Sequence, residues 1–249
     1  MSASKKELDD LFNAQLYLHF HDDILDENRT VSECLFMIQK LGITAGAEVL
    51  DLACGHGRHV NYLAGQGFDL TGWDINSDFI KMAIKEAVEK GLTIDYHCKD
   101  ILDIDYENRF AAILLLFNTL GFFSRENAQL LMHRISKSLL PKGRIFLDIK
   151  NRDHVIQEIT PCSIVEKGAD MMIDRLCFDP QRGTTLNQRT YIKDGQRYEA
   201  PFVMTLYNYT DLERMTLQAG LSIREVYGHW DGRAFDQDSR RIILILEKE

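Results

Sequence analysis

The sequence predicts an open, doubly wound α/β sheet, and three observations carry that prediction. Short apolar runs alternate with amphipathic helical segments from Val49 to about Ile149, the pattern of a parallel sheet built from strand–helix units. One run, Ala111-Ala-Ile-Leu-Leu-Leu-Phe117, is apolar throughout, as a strand buried on both faces is. The stretch Val49-Leu-Asp-Leu-Ala-Cys-Gly-His-Gly57 reads as a strand ending in a tight turn that opens a helix. A residue without Cβ tolerates φ > 0 and lets a ligand lie against the backbone, and open α/β sheets bind ligands at the carboxyl ends of their strands.

The elements follow in order. Residues 7–28 place Leu8, Leu11, Phe12, Leu16, Tyr17 and Phe20 on one helical face, before an acidic linker from His21 to Asn28. A second helix follows Thr30 and ends at Gly42, which suits a left-handed C-terminal stop. Residues 1–42 therefore form a helical cap. Within 43–150, strand one ends at Asp51 and its helix spans Arg58 to Gly65; strand two ends at Asp74 and its helix spans Asp78 to Lys90. Strand three covers Thr93 to Cys98, strand four Ala111 to Phe117, a helix Glu126 to Leu140, and strand five Arg144 to Ile149. Across 151–207 the texture turns β-prone. Met171 to Phe178, Thr184 to Lys193 and Tyr198 to Tyr207 are separated by the turn signals Asp179-Pro-Gln-Arg-Gly183 and Asp194-Gly195, which predicts a three-stranded antiparallel insertion over the carboxyl ends of the main sheet. In 208–249, Thr210-Asp-Leu-Glu213 forms a capping box for a helix stopped by Gly220, and Ile223–Tyr227 and Arg241–Leu246 make an antiparallel closing pair.

Composition narrows the function. The net charge of −9 repels a phosphate backbone, so nucleic acid is not expected as a substrate. Five scattered cysteines without a C-x-x-C pair read as reduced thiols rather than a disulfide frame or zinc site. The first ten residues lack a signal-peptide core, and no apolar run approaches the ~20 residues of a membrane span. A cytoplasmic protein, away from membranes, is expected.

The Gly-rich turn then has to be given a ligand. A dinucleotide fingerprint wants a third small residue where Val60 stands, and a phosphate loop wants Gly-Lys-Ser/Thr where Gly57-Arg-His-Val60 stands. Asp51 at the turn repels an anion and suits a cationic pole. Asp74, roughly 20 residues on, is placed to accept from ribose hydroxyls. A ribose and a cationic tail without a pyrophosphate describe S-adenosylmethionine. On these residues, Asp51-Leu-Ala53-Cys-Gly55-His-Gly57 resembles the acidic Gly-rich signature of class I S-adenosylmethionine-dependent methyltransferases, with Ala53 replacing the usual first Gly. The resemblance covers nearly the whole chain and implies a Rossmann-like, seven-stranded sheet with an antiparallel closing strand. It lies nearest small bacterial N- or O-methyltransferases of small molecules.

The resemblance also implies roles. Ala53, Gly55 and Gly57 lie against the methionine part of the cofactor, and Asp51 accepts from its ammonium. Asp74 takes the ribose, Ile75 one side of the adenine, and Asp100 with Ile101 the adenine edge. Phe117 and Asn118 form the floor near the methyl group. The cofactor carboxylate needs a cation, for which Arg29 and His59 are preferred and Arg58 is a further candidate. Tyr17, on the cap, is placed near the reactive sulfonium by its position in the chain. His229, beside Trp230 in the closing loop, is the general-base candidate by residue type. No metal site is expected. The partner is a small-molecule methyl acceptor, with a monomer or homodimer both open. The rival readings are a catalytically silent cofactor-binding module and a nicotinamide-dependent oxidoreductase.

Overall fold

The computed structural model describes residues 5–22 and 26–249. Its centre is a seven-stranded sheet in the order β11-β12-β5-β4-β1-β2-β3. The strands are β1 (Glu48–Leu52), β2 (Asp69–Asp74), β3 (Asp95–Cys98), β4 (Phe110–Leu115), β5 (Leu139–Lys150), β11 (Leu221–Tyr227) and β12 (Arg241–Lys248). β1 through β5 pair in parallel, while β12 runs antiparallel to both β5 and β11. The antiparallel closing strand thus sits inside the sheet, between β5 and β11.

Helices cover both faces, which is why the strands are apolar on both sides. On one face α3 (Glu27–Leu41), α4 (Arg58–Gly65) and α5 (Ser77–Glu89) bury Cys34, Met37, Val60, Leu63 and Ile80 against Val49, Ala112, Leu114 and Phe146. On the other, α6 (Arg125–Ser138) and α8 (Tyr209–Gln218) bury Leu131, Met132, Ile135, Leu212 and Met215 against Leu50, Ile113, Leu115 and Leu147. No helix among the described residues is long and apolar enough to cross a membrane.

The periphery departs from expectation in several places. The N-terminal segment is two short helices, α1 (Lys5–Leu11) and α2 (Ala14–Phe20), not one. Asn13 breaks it, because its side chain accepts from the Leu16 N–H and so prefers a cap to a helix interior. α3 begins before Thr30, with Asp26 as N-cap accepting from the Arg29 N–H. Glu27 and Asn28 of the expected acidic linker are therefore helical, while residues 23–25 of it lie outside the described residues. The capping box of α8 is formed by Asn208 and Asp211 rather than by Thr210 and Glu213, one helical position pair earlier than its sequence signature.

The insertion carries five strands instead of three: β6 (Cys162–Lys167), β7 (Asp170–Asp179), β8 (Thr184–Lys193), β9 (Gln196–Glu199) and β10 (Phe202–Thr205), preceded by α7 (Arg152–Gln157). The expected last strand is split at Pro201, which has no N–H to give to a ladder. Both halves still pair with β8. Leu16 and Phe20 of α2 pack on Met172, Tyr191 and Ala200 of this sheet, so cap and insertion close over the core together.

Candidate functional site

The loop after β1 and the end of β2 are locked to each other. Cys54 N–H donates to the Trp73 carbonyl at 2.9 Å. The two oxygens of Asp74 accept from Gly55 N–H and Asn76 N–H, each at 2.8 Å. Ala53, Gly55 and Gly57 all have positive φ, a conformation that costs an L-residue ~1–2 kcal/mol and glycine little. The two glycines answer different needs. A Cβ on Gly55 would meet nothing within 4 Å, so that backbone is open to a ligand. A Cβ on Gly57 would lie 2.7 Å from Ala83 Cβ and strike the Tyr96 hydroxyl.

Above this loop lies a cavity of about 290 Å³. Asp51, Asp74, Asp100, Ile75 and Ile101 line the strand side, and Leu8, Phe12, Tyr17, Phe122 and Phe123 the opposite side. The cap is pinned there from two directions. Asn76 Nδ2 donates to the Phe12 carbonyl at 2.9 Å, and the Tyr191 hydroxyl donates to the Leu11 carbonyl at 3.3 Å. Asp51 is buried, and burial, followed by repulsion from Asp74, pushes its carboxyl up to about 7 against a partial offset from Arg58. Burial also raises Asp74, against the three backbone N–H groups of Asn76, Gly55 and Ile75 that favour its charge. Among the described residues no basic side chain ion-pairs with Asp51, Asp74 or Asp100, so this wall is a binding surface for hydroxyl, amine or ammonium donors.

Cations gather behind the other end of the cavity. Glu33, buried, accepts from Arg29 Nε at 2.8 Å, Arg58 at 2.6 Å and His59 Nε2 at 3.0 Å. These partners hold Glu33 down at about 2 despite its burial, and burial pushes His59 down to about 4. Glu33 is therefore ionised and His59 neutral, donating from Nε2, at neutral pH. The Phe117 ring sits among three guanidinium groups, those of Arg58, Arg29 and Arg241 at 4.9, 5.9 and 5.7 Å from its centre.

A family profile described as a methyltransferase domain matches residues 49–143, the span from β1 to the start of β5 that carries the acidic wall. The comparisons support a class I S-adenosylmethionine-dependent methyltransferase. The methyltransferase of Clostridium acetobutylicum superposes with a TM-score of 0.82 at 17% identity, covering 94% of this chain and 97% of that one. An S-adenosylmethionine-bound amino pentose methyltransferase from Micromonospora echinaspora superposes with a TM-score of 0.67 at 14% identity, over 90% and 91% of the two chains. In sequence, the dTDP-3-amino-3,6-dideoxy-alpha-D-glucopyranose N,N-dimethyltransferase of Streptomyces fradiae is 21% identical over 84% of this chain and 82% of its own length.

Within this methyltransferase the cavity brings together Tyr17, Asp51, Ala53, Gly55, His59, Asp74, Ile75, Asp100, Ile101 and Phe117. Four expected residues stand elsewhere. Gly57 caps α4 and serves packing rather than the ligand surface. Asn118 turns inward with φ of 67°, its side chain accepting from Lys150 N–H at 3.0 Å and donating toward Met204 Sδ, so it ties β5 to β10 instead of forming the floor. Arg29 is held by Glu33 and leaves the cavity lining to Arg58. His229 is half-exposed, pairs with Asp231 and is not in the cavity lining; its neighbour Trp230 instead stacks on Phe117 and Phe146. Sequence reasoning missed His56, Phe12, Phe79, Phe122 and Phe123 in the lining. His56 lay in plain view between the two glycines of the signature, whereas Phe12 is exposed to the cavity only by the break at Asn13.

Proposed function

We propose that this enzyme moves the methyl group of S-adenosylmethionine to a nitrogen or oxygen of a small molecule, with an amine the favoured acceptor. The observation that carries the reading is the enclosed cavity, with three carboxylates free of cation partners on the strand side and an aromatic cap on the other. Asp74 accepts Gly55 N–H on Oδ2 and Asn76 N–H on Oδ1 and keeps lone pairs for a ribose hydroxyl. Asp51 accepts from the cofactor ammonium. Asp100, whose Oδ1 is taken by Leu102 N–H, offers its second oxygen to the adenine amine, between Ile75 and Ile101. Arg58 keeps donors beyond those given to Glu33 and Thr30 and meets the cofactor carboxylate.

The bound cofactor supplies a methyl group on a good leaving sulfur. The protein's part is alignment and exclusion of water, worth ~7–11 kcal/mol in well-oriented cases. Tyr17 lies in the lining, and burial raises its phenol. It stays protonated and orients the acceptor's lone pair rather than removing a proton. That favours a neutral amine, which attacks unaided, and the amino-sugar N,N-dimethyltransferase among the relatives points the same way.

Isothermal titration with S-adenosylhomocysteine beside NAD tests the cofactor reading. Binding near ~1 μM to the first alone is expected, and a screen of small amines with radiolabelled cofactor follows. Binding to NAD alone, or to neither, overturns it.

A further inference from the structure

Lys150 ends β5, where the main sheet gives way to the insertion. It is directly opposite Arg241 in the β5–β12 register, an arrangement in which like charges repel. Arg241 spends its guanidinium on Asp148, two residues before Lys150 on the same face of β5, through Nε–Oδ1 and through Nη2–Oδ2 at 2.6 Å. Asp148 is fully buried, and its Oδ2 also accepts from Phe117 N–H at 3.0 Å. In the insertion, Arg189 of β8 is bidentate to Asp174 of β7, both bonds 2.7 Å. Two carboxylates are thus matched to two guanidiniums, and among the described residues no carboxylate pairs with Lys150.

The surplus cation is not an ordinary surface lysine. Its side chain reaches solvent, yet burial pushes its ammonium below the usual lysine value. Arg241 and Arg189 push the same way, and Asp174 opposes them. Geometry places both guanidiniums beside the cofactor cavity: Arg241 lies over Phe117, and Arg189 over Phe202, which packs on Phe122, and both Phe117 and Phe122 line the cavity. Lys150, opposite Arg241 in the ladder, therefore stands next to that cavity. A chain with net charge −9 keeps a cation without a carboxylate partner beside its cavity.

We propose that Lys150, flanked by Arg241 and Arg189, forms an anion-binding subsite for the methyl acceptor, which therefore carries a carboxylate or phosphate group. This rests on the methyltransferase reading for the word acceptor, though the subsite itself is independent of it. Lys150 supplies the free ammonium. Arg241 and Arg189, held in place and neutralised by their aspartates, supply their remaining N–H donors.

The test is titration of the protein with inorganic phosphate and with acetate at constant ionic strength, with and without S-adenosylhomocysteine. Wild type, Lys150→Met and, as a surface control, Lys142→Met are compared. The expected result is saturable binding of one anion, weakened at least about tenfold in Lys150→Met, as for a lost charge-assisted contact, and unchanged in Lys142→Met. S-adenosylhomocysteine affinity should be the same in all three proteins. Preference for phosphate assigns a phosphorylated acceptor, and preference for acetate a carboxylated one. No saturable binding of either anion, or equal binding by wild type and Lys150→Met, overturns the subsite. Because the titration is also run without S-adenosylhomocysteine, failure of the cofactor reading is seen separately as loss of binding to that ligand.

Discussion

The two ends of the cleft handle charge in opposite ways. At the ends of β1 and β2, Asp51 and Asp74 are buried without a cation, and backbone N–H groups hold Asp74 in place. At the ends of β5 and β12, Asp148 is buried against a guanidinium, and a lysine is left over. A carboxylate held only by dipoles can still receive a cationic or hydroxylic ligand, whereas one clasped by Arg241 is already spent. The same residue type is a binding group at one end and scaffold at the other. What separates them is the partner, not the burial.

The largest expected effect tests the scaffold end. Asp148→Ala leaves Arg241 without its anion and Phe117 N–H without its acceptor, and breaking a buried pair this way costs about 3 kcal/mol, at the lower end for a partner that keeps some solvent contact. Urea unfolding should show it; a loss under 1 kcal/mol would erase the contrast. At the binding end, Asp74→Ala removes the ribose acceptor and frees two loop N–H groups, so S-adenosylhomocysteine affinity should fall by about 1–3 kcal/mol. Unchanged affinity in a folded variant would count against that assignment.

The acidity of the binding end gives a pH signature. Asp51 in the fold titrates at about 7, against ~3.9 for an ordinary aspartate. Native protein thus keeps a proton from about pH 4 to pH 7 that the unfolded chain has released. This group's contribution to stability falls as pH rises through that window. A ligand ammonium needs the ionised form, so affinity for S-adenosylhomocysteine should rise about tenfold from pH 6 to pH 8. His59, held near 4, is neutral from pH 6 to pH 8, and burial lowers His56 as well. A profile of the same slope in Asp51→Asn would assign the titration elsewhere. The smallest effect is at Ala53, whose φ of 64° carries left-handed strain. Ala53→Gly should gain up to about 1 kcal/mol, strain relief less the entropy of glycine, with cofactor affinity unchanged.

The sheet was legible because its signals are local and repeated: apolar runs, Gly-rich turns, and a carboxylate at the end of each of the first two strands. Asp51, Gly55, Asp74, Asp100 and Phe117 follow from their place at strand ends, and all line the cavity. What could not be read depends on side chains meeting across the chain. Arg29 and Arg58 are equivalent until Glu33 comes between them, and it is the fold that turns Arg58 to the cavity. Asn118 sits at the right strand end, but its positive φ swings the side chain into the core. His229 was singled out by chemistry alone, without a neighbour in sequence to fix its direction. The split of the last insertion strand at Pro201 is a local signal that was present and outweighed by the surrounding β-prone residues.

The cap also bears on the order in which the site is made. α1 and α2 are seven residues each, too short to hold as isolated helices in water. Their anchors lie far along the chain, Asn76 at the start of α5 and Tyr191 in the insertion. The segment that precedes everything else in the sequence therefore has nothing to settle on until β2 and β8 are in place. The wall that shuts out water is thus expected to close last, and hydrogen-exchange labelling during refolding should protect α1 and α2 after β2 and β8.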